Sequence, residues 1–161
     1  MAAQYVPIRT AQMNDLLCHD MGFAPVDIKG CGEFVYERDV ITKSLVVHPY
    51  KIRVYSSIRK ETGWSDTCGC DAIRVVLIDK VTNRPAKKSE KRVHRTKNAL
   101  KNLRARCRDA FRYVLEAENC PRCKAMLVER EAKKTGSKFM GCSRYAPGRD
   151  HHCGFSRNVP A

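Results

Sequence analysis

The sequence predicts an α+β fold: a small antiparallel sheet with one long basic amphipathic helix, followed by a small unit built on four cysteines. Three observations predict it. Runs rich in Val, Ile and Tyr, bounded by Gly, Pro, Asp and Thr, read as strands. An apolar stripe at 3.6-residue spacing follows them. Cys120, Cys123, Cys142 and Cys153 then stand as C-x2-C and C-x10-C, with eighteen residues between the pairs. The length of 161 residues suits one domain of ordinary size, residues 1–117, plus a metal-bound appendage, residues 118–161.

From Thr10 onward, Met13, Leu16, Leu17 and Met21 recur at helical spacing, and Gly22 is the expected stop. His19 and Asp20 fall on the polar side. Strands are expected over residues 33–40, 50–58 and 72–81, with a short fourth over 91–94. In the second, Ile52, Val54 and Ile58 point one way, and Lys51, Arg53 and Tyr55 the other. That outer face reads equally as a nucleic-acid contact and as an ordinary solvent face. The third strand is more uniformly apolar and is the expected central one. Residues 82–90 read as a basic hairpin loop.

Thr96 or Asn98 caps a helix running to about residue 118. Leu100, Leu103, Cys107, Ala110, Phe111 and Val114 form its apolar stripe. Lys97, Lys101, Arg104, Arg108 and Arg112 fall on a neighbouring face, and only Asp109 interrupts them before Glu116. Like charges at this spacing repel by about 0.2–0.5 kcal/mol per pair. Phosphates would relieve that repulsion. The strand order with a basic helix is broadly similar to some single-strand annealing proteins, at the level of architecture.

The formal net charge of +14 is unevenly spread. Residues 1–48 hold four Lys/Arg against six Asp/Glu, whereas residues 49–161 hold 27 against 11. Between Arg84 and Arg112 twelve basic residues face only Glu90 and Asp109. Such a field favours a polyanion as partner. The nine cysteines are an odd number, and residues 1–10 show no apolar stretch of a signal peptide. Reducing, cytoplasmic surroundings are therefore expected, with four cysteines as ligands and five as free thiols or extra ligands. No run approaches a membrane span, so no membrane partner is expected.

A two-residue gap lets both thiolates of a knuckle reach one ion, and a second pair closes a tetrahedral site. This is the geometry of structural zinc, so Zn2+ is the expected cofactor, with Cys120, Cys123, Cys142 and Cys153 as ligands. So small a unit has little core, and the metal supplies its folding free energy. Four thiolates leave no ligand position open for catalysis. Lys124, Arg130, Lys133, Lys134, Lys138, Arg144, Arg149 and Arg157 surround the cysteines, interleaved with Phe139, Tyr145 and Phe155. Basic side chains hold phosphates, and aromatic faces stack on unpaired bases.

Three stretches carry a resemblance. They are Cys120-Pro121-Arg122-Cys123, then Met126-Leu127-Val128-Glu129-Arg130, then Gly136-Ser137-Lys138-Phe139-Met140-Gly141-Cys142-Ser143-Arg144-Tyr145. Together they resemble the four-cysteine zinc finger at the C-terminus of type IA DNA topoisomerases. The resemblance spans residues 118–157, about a quarter of the chain. In that family the finger is a small zinc ribbon that binds single-stranded DNA, and the resemblance implies the same here. The pattern departs after Tyr145, where the loop is longer than usual and ends His151-His152-Cys153. That leaves His151 or His152 as alternatives to Cys153 for the fourth ligand. The rest of the chain is too short for a topoisomerase and shows no nucleophilic tyrosine motif, so the catalysis is not implied.

The expected function is nucleic-acid binding, with single-stranded DNA or a junction favoured over RNA. The setting would be replication, recombination or repair of bacterial, phage or mobile-element type. Phe139 and Tyr145 would stack bases while Lys138 and Arg144 hold phosphates. Lys87, Lys88, Lys91, Arg92, Lys97, Lys101, Arg104, Arg108 and Arg112 would track the backbone. One alternative is a metal-dependent nuclease using acids among Glu33, Glu37, Asp39, Asp71 and Asp79. No spacing among them is diagnostic, strand-end acids read first as charge partners, and no catalytic residue is assigned. Another alternative is a regulator that docks on RNA polymerase or another protein machine. A second metal site from Cys31, His48, Cys68 and Cys70 ranks below free thiols in turns.

Overall fold

The computed structural model describes residues 6–64, 72–86 and 89–159. The first element is α1 (Thr10–Asn14), which continues into a π-helical turn, Asp15–Asp20, where the spacing predicts one α-helix. Met13, Leu16 and Leu17 are buried across it. Gly22 ends it in the left-handed region at φ 67°, where a side chain would be strained. The Phe23 N–H then donates to Leu17 O at 2.8 Å.

Six strands form one antiparallel sheet: β1 (Ala24–Val26), β2 (Glu33–Ile41), β3 (Val47–Arg59), β4 (Ala72–Asp79), β5 (Arg84–Pro85) and β6 (Lys91–His94). The order is β1-β2-β3-β4-β5, with β6 also on β4. The short strands β1 and β5 lie outside the expected set. They have three and two residues, and each holds a proline, so neither offers a period-2 pattern to read. The apolar run of β4 is interior and buried on both faces, although β3 stands nearer the middle.

Helix α2 (Ala99–Glu116) packs on one face of this sheet, and its Arg104 pairs with Asp20 of the π-helical turn. Ala99, Leu103, Cys107 and Val114 are its buried positions, with Leu100, Ala110 and Phe111 flanking them. They meet Tyr36 and Val40 of β2, Ile52 and Val54 of β3, and Ile73, Val75 and Leu77 of β4 in one core. Leu103 is fully buried there. Leu103→Ala is expected to cost about 2–5 kcal/mol, read as a lower urea midpoint with an unchanged slope.

The opposite sheet face holds Lys51, Arg53 and Tyr55, as the alternation predicts. It is an ion-pair net and not a bare basic face. Glu37 accepts from Lys51 and Arg53, both at 2.6 Å. The Arg74 guanidinium lies 4.3 Å from the Tyr55 ring centre and pairs with Glu33. Near Glu33 the β2–β3 register shifts, and Ser57 adopts φ 56°. The Glu33 carboxylate accepts the Ser57 N–H at 2.6 Å, which satisfies the bulge.

Beyond α2, strands β7 (Leu127–Glu131), β8 (Lys138–Cys142) and β9 (Ser156–Asn158) form a second antiparallel sheet in that order. Cys120, Ala125, Met126, Leu127, Cys142 and Cys153 belong to the same buried cluster as the main core. The connection after residue 117 is therefore packed against the main core. No helix among the described residues is long and apolar enough to cross a membrane.

Candidate metal centre

Two turns present the cysteines. Cys120 and Cys123 sit on a tight turn closed by Lys124 N–H donating to Cys120 O at 2.9 Å and Cys120 N–H to Ala125 O at 2.6 Å. Lys124 takes the left-handed conformation, φ 62°, that lets the chain double back. Cys142 ends β8, and Tyr145 N–H donates to its carbonyl at 3.1 Å. Arg144 N–H points at the Cys142 sulfur, 3.4 Å away. Cys153 returns to this turn, its N–H donating to Arg144 O at 3.2 Å.

The four sulfurs all lie within 4.8 Å of one another. Cys120 and Cys153 are 3.7 Å apart, and Cys123 and Cys142 are 3.4 Å apart. A tetrahedral ion about 2.3 Å from each sulfur sets them about 3.8 Å apart, so the cluster fits one metal ion. Cys120, Cys142 and Cys153 are buried and Cys123 is half-buried. Burial pushes the Cys123 and Cys142 thiols up. It also acts on Cys120, but hydrogen bonds from the backbone N–H groups of Cys123 and Arg122 together with those of the Cys153 and Cys123 side chains outweigh it and hold that thiol below its usual value. Four thiolates in this space need a cation to balance them. Cys153 fills the fourth corner. His152 is engaged elsewhere, its Nδ1 accepting from Ala146 N–H at 3.0 Å, and His151 is exposed.

The centre is joined to the main sheet by buried polar contacts. Asp79, at the end of β4, pairs with Arg144 at 2.6 and 2.9 Å, and both side chains are under 10% exposed. Arg144 also donates to Cys123 O at 3.0 Å, and the Asp79 hydrogen bonds hold its guanidinium more firmly charged. Tyr50, at the matching end of β3, lies 2.6 Å from the Ser143 hydroxyl. Burial raises the Tyr50 phenol to about 12, so it stays protonated. Arg130 donates to Cys142 O at 2.8 Å. Its stem crosses Gly141, where a Cβ would stand 2.8 Å from the arginine Cδ.

No family model matches the chain, and neither a curated protein nor a solved structure does.

The remaining expected contact residues divide by surroundings. Arg144 is turned inward against Asp79, where its buried guanidinium is paired with a buried carboxylate. Tyr145 is 51% exposed, Phe139 is half-buried in β8, and Lys138 is exposed and pairs with Glu129 at 3.0 Å. On α2, Arg104 pairs with Asp20, and Arg112 with Asp109 at 3.0 Å. Lys97, Lys101 and Arg108 are exposed, with no ion pair among the described residues. Lys91 and Arg92 alternate in β6, so Arg92 sits opposite Arg74 on the face away from α2 and pairs with Glu90 at 2.9 Å. Lys87 and Lys88 lie outside the described residues.

Among the described residues, the four cysteines are the one group of His, Cys, Asp or Glu close enough to share an ion. The strand acids are each held by cations: Glu33 by Arg74, Glu37 by Lys51 and Arg53, Asp39 by Lys80, Asp79 by Arg144. Asp71, Cys68 and Cys70 lie outside the described residues. Cys31 precedes β2 and donates to Glu33 O, whereas His48 stands at the far end of the β2–β3 ladder. At about 3.3 Å per residue they are roughly 25 Å apart, so they cannot share an ion.

Proposed function

We propose that the chain is a non-catalytic nucleic-acid-binding protein whose C-terminal unit is a zinc ribbon of the type IA topoisomerase kind, with single-stranded DNA or a junction as its target. The observation that carries the reading is the pair of exposed cations Lys101 and Arg108 on one face of α2, with Lys97 just before the helix, none of them in an ion pair among the described residues, in the same molecule as the four-sulfur cluster. Cations gathered on one face favour a polyanion, and phosphates are the ligands that such a face holds. Four thiolates at these separations suit Zn2+, which supplies folding free energy and leaves no open coordination position. Tyr145 offers an exposed ring, and Lys138 a surface ion pair weak enough to yield to a phosphate. Such a protein serves replication, recombination or repair.

A salt titration tests the electrostatic part. With about seven phosphates neutralised, affinity for a single strand falls with salt at a log–log slope of about −5. Replacing Lys101 and Arg108 together by alanine flattens the slope by about 1.4. A slope near zero in the parent protein contradicts the reading. Mg-dependent cleavage of the labelled strand would favour a nuclease instead.

A further inference from the structure

A cleft of about 160 Å3 opens where the end of the main sheet meets the C-terminal unit. Its floor is the Tyr50–Ser143 hydroxyl pair and the Asp79–Arg144 ion pair. The ion pair is internally neutral. Tyr145 lines the wall, with the Arg130 guanidinium 5.4 Å from the ring centre and His152 edge-on at 5.2 Å. These neighbours fix the ring in place while leaving half of it exposed. Arg84, from β5, and Arg149 also line the cleft, both exposed and neither in an ion pair among the described residues. Asp150 is the one carboxylate in the lining besides Asp79. A fixed aromatic wall, hydroxyls at depth and two free guanidinium groups match the parts of one nucleotide: base face, base edge and phosphate.

We propose that this cleft seats one unstacked nucleotide of a bound strand, its base against Tyr145 and its phosphate between Arg84 and Arg149. The proposal rests on the nucleic-acid reading above, and adds that both sheets contribute to one subsite. A phosphopeptide would use the two arginines but has no base to stack on the ring.

The test uses the full chain loaded with zinc and a fluorescent oligothymidylate. Stacking on one aromatic ring is worth about 5- to 150-fold in affinity, so Tyr145→Ala weakens binding by that range while Tyr145→Phe retains it. Arg84→Ala with Arg149→Ala flattens the salt slope by about 1.4. Zinc content is measured on every variant. As a readout independent of folding defects, a 5-bromodeoxyuridine strand irradiated on the wild-type protein cross-links at Tyr145. If the wild-type protein binds the strand, yet the variants bind as tightly and the cross-link maps elsewhere, the cleft is overturned and the broader function stands. A wild-type protein that binds no strand removes both. Capture of a phosphoserine peptide, sensitive to Arg84→Ala and indifferent to Tyr145→Ala, also overturns the cleft.

Discussion

Replacing Cys120 and Cys123 together by serine is expected to abolish stoichiometric metal and unfold the chain from Cys120 to Asn158. The physical reason is the small size of that unit. Its three strands have five, five and three residues, too little surface to fold alone. Structural zinc contributes about 10–16 kcal/mol to such units at neutral pH. The loss also reaches the main domain, because Tyr50 would lose Ser143 and Asp79 would lose Arg144. The expected result is one zinc per chain in the parent and none in the variant. Limited proteolysis then cuts after residue 119 in the variant alone. In the parent, the four thiols resist alkylation until a chelator is added. Four thiols that react freely in the native parent would contradict the account.

Asp79→Ala is the second large effect. It leaves the Arg144 guanidinium buried without its carboxylate, and breaking such a pair costs about 3–5 kcal/mol. A buried ion pair does not by itself add much over an apolar pair of similar volume. Asp79→Leu combined with Arg144→Met therefore recovers most of the loss in a urea titration. A single variant within about 1 kcal/mol of the parent would mean that the pair is wet and that the two sheets are not locked together.

Much of the architecture was legible in the residues. The strands at 33–41, 72–79 and 91–94 and helix α2 announce themselves because period 2 and period 3.6 follow directly from backbone geometry. The four cysteines are equally plain, since C-x2-C spacing has few other uses in a small unit. What stayed hidden depends on tertiary neighbours. Pro25 and Pro85 mask two short strands that exist only by pairing with β2 and β4. Arg144 reads as a phosphate contact because nothing local shows that Asp79, sixty-five residues earlier, will stand against it. The one hint was the position of Asp79 at a strand end, where an acid reads as a charge partner. Tyr50 and Ser143, ninety-three residues apart, gave no local signal of their pairing. The row on α2 was visible as a row, and Asp109 stands only three residues from Arg112, but nothing local shows that Asp20 will take up Arg104.

The most direct test of the proposed function is a single-strand titration of one protein sample before metal removal, after it, and after zinc is restored. The account predicts salt-sensitive binding of the oligonucleotide by the loaded protein, at least tenfold weaker binding once the ion is stripped, and recovery on adding zinc back. Unchanged affinity in protein shown to have lost its metal, or no binding at low salt by protein shown to hold it, would contradict the account.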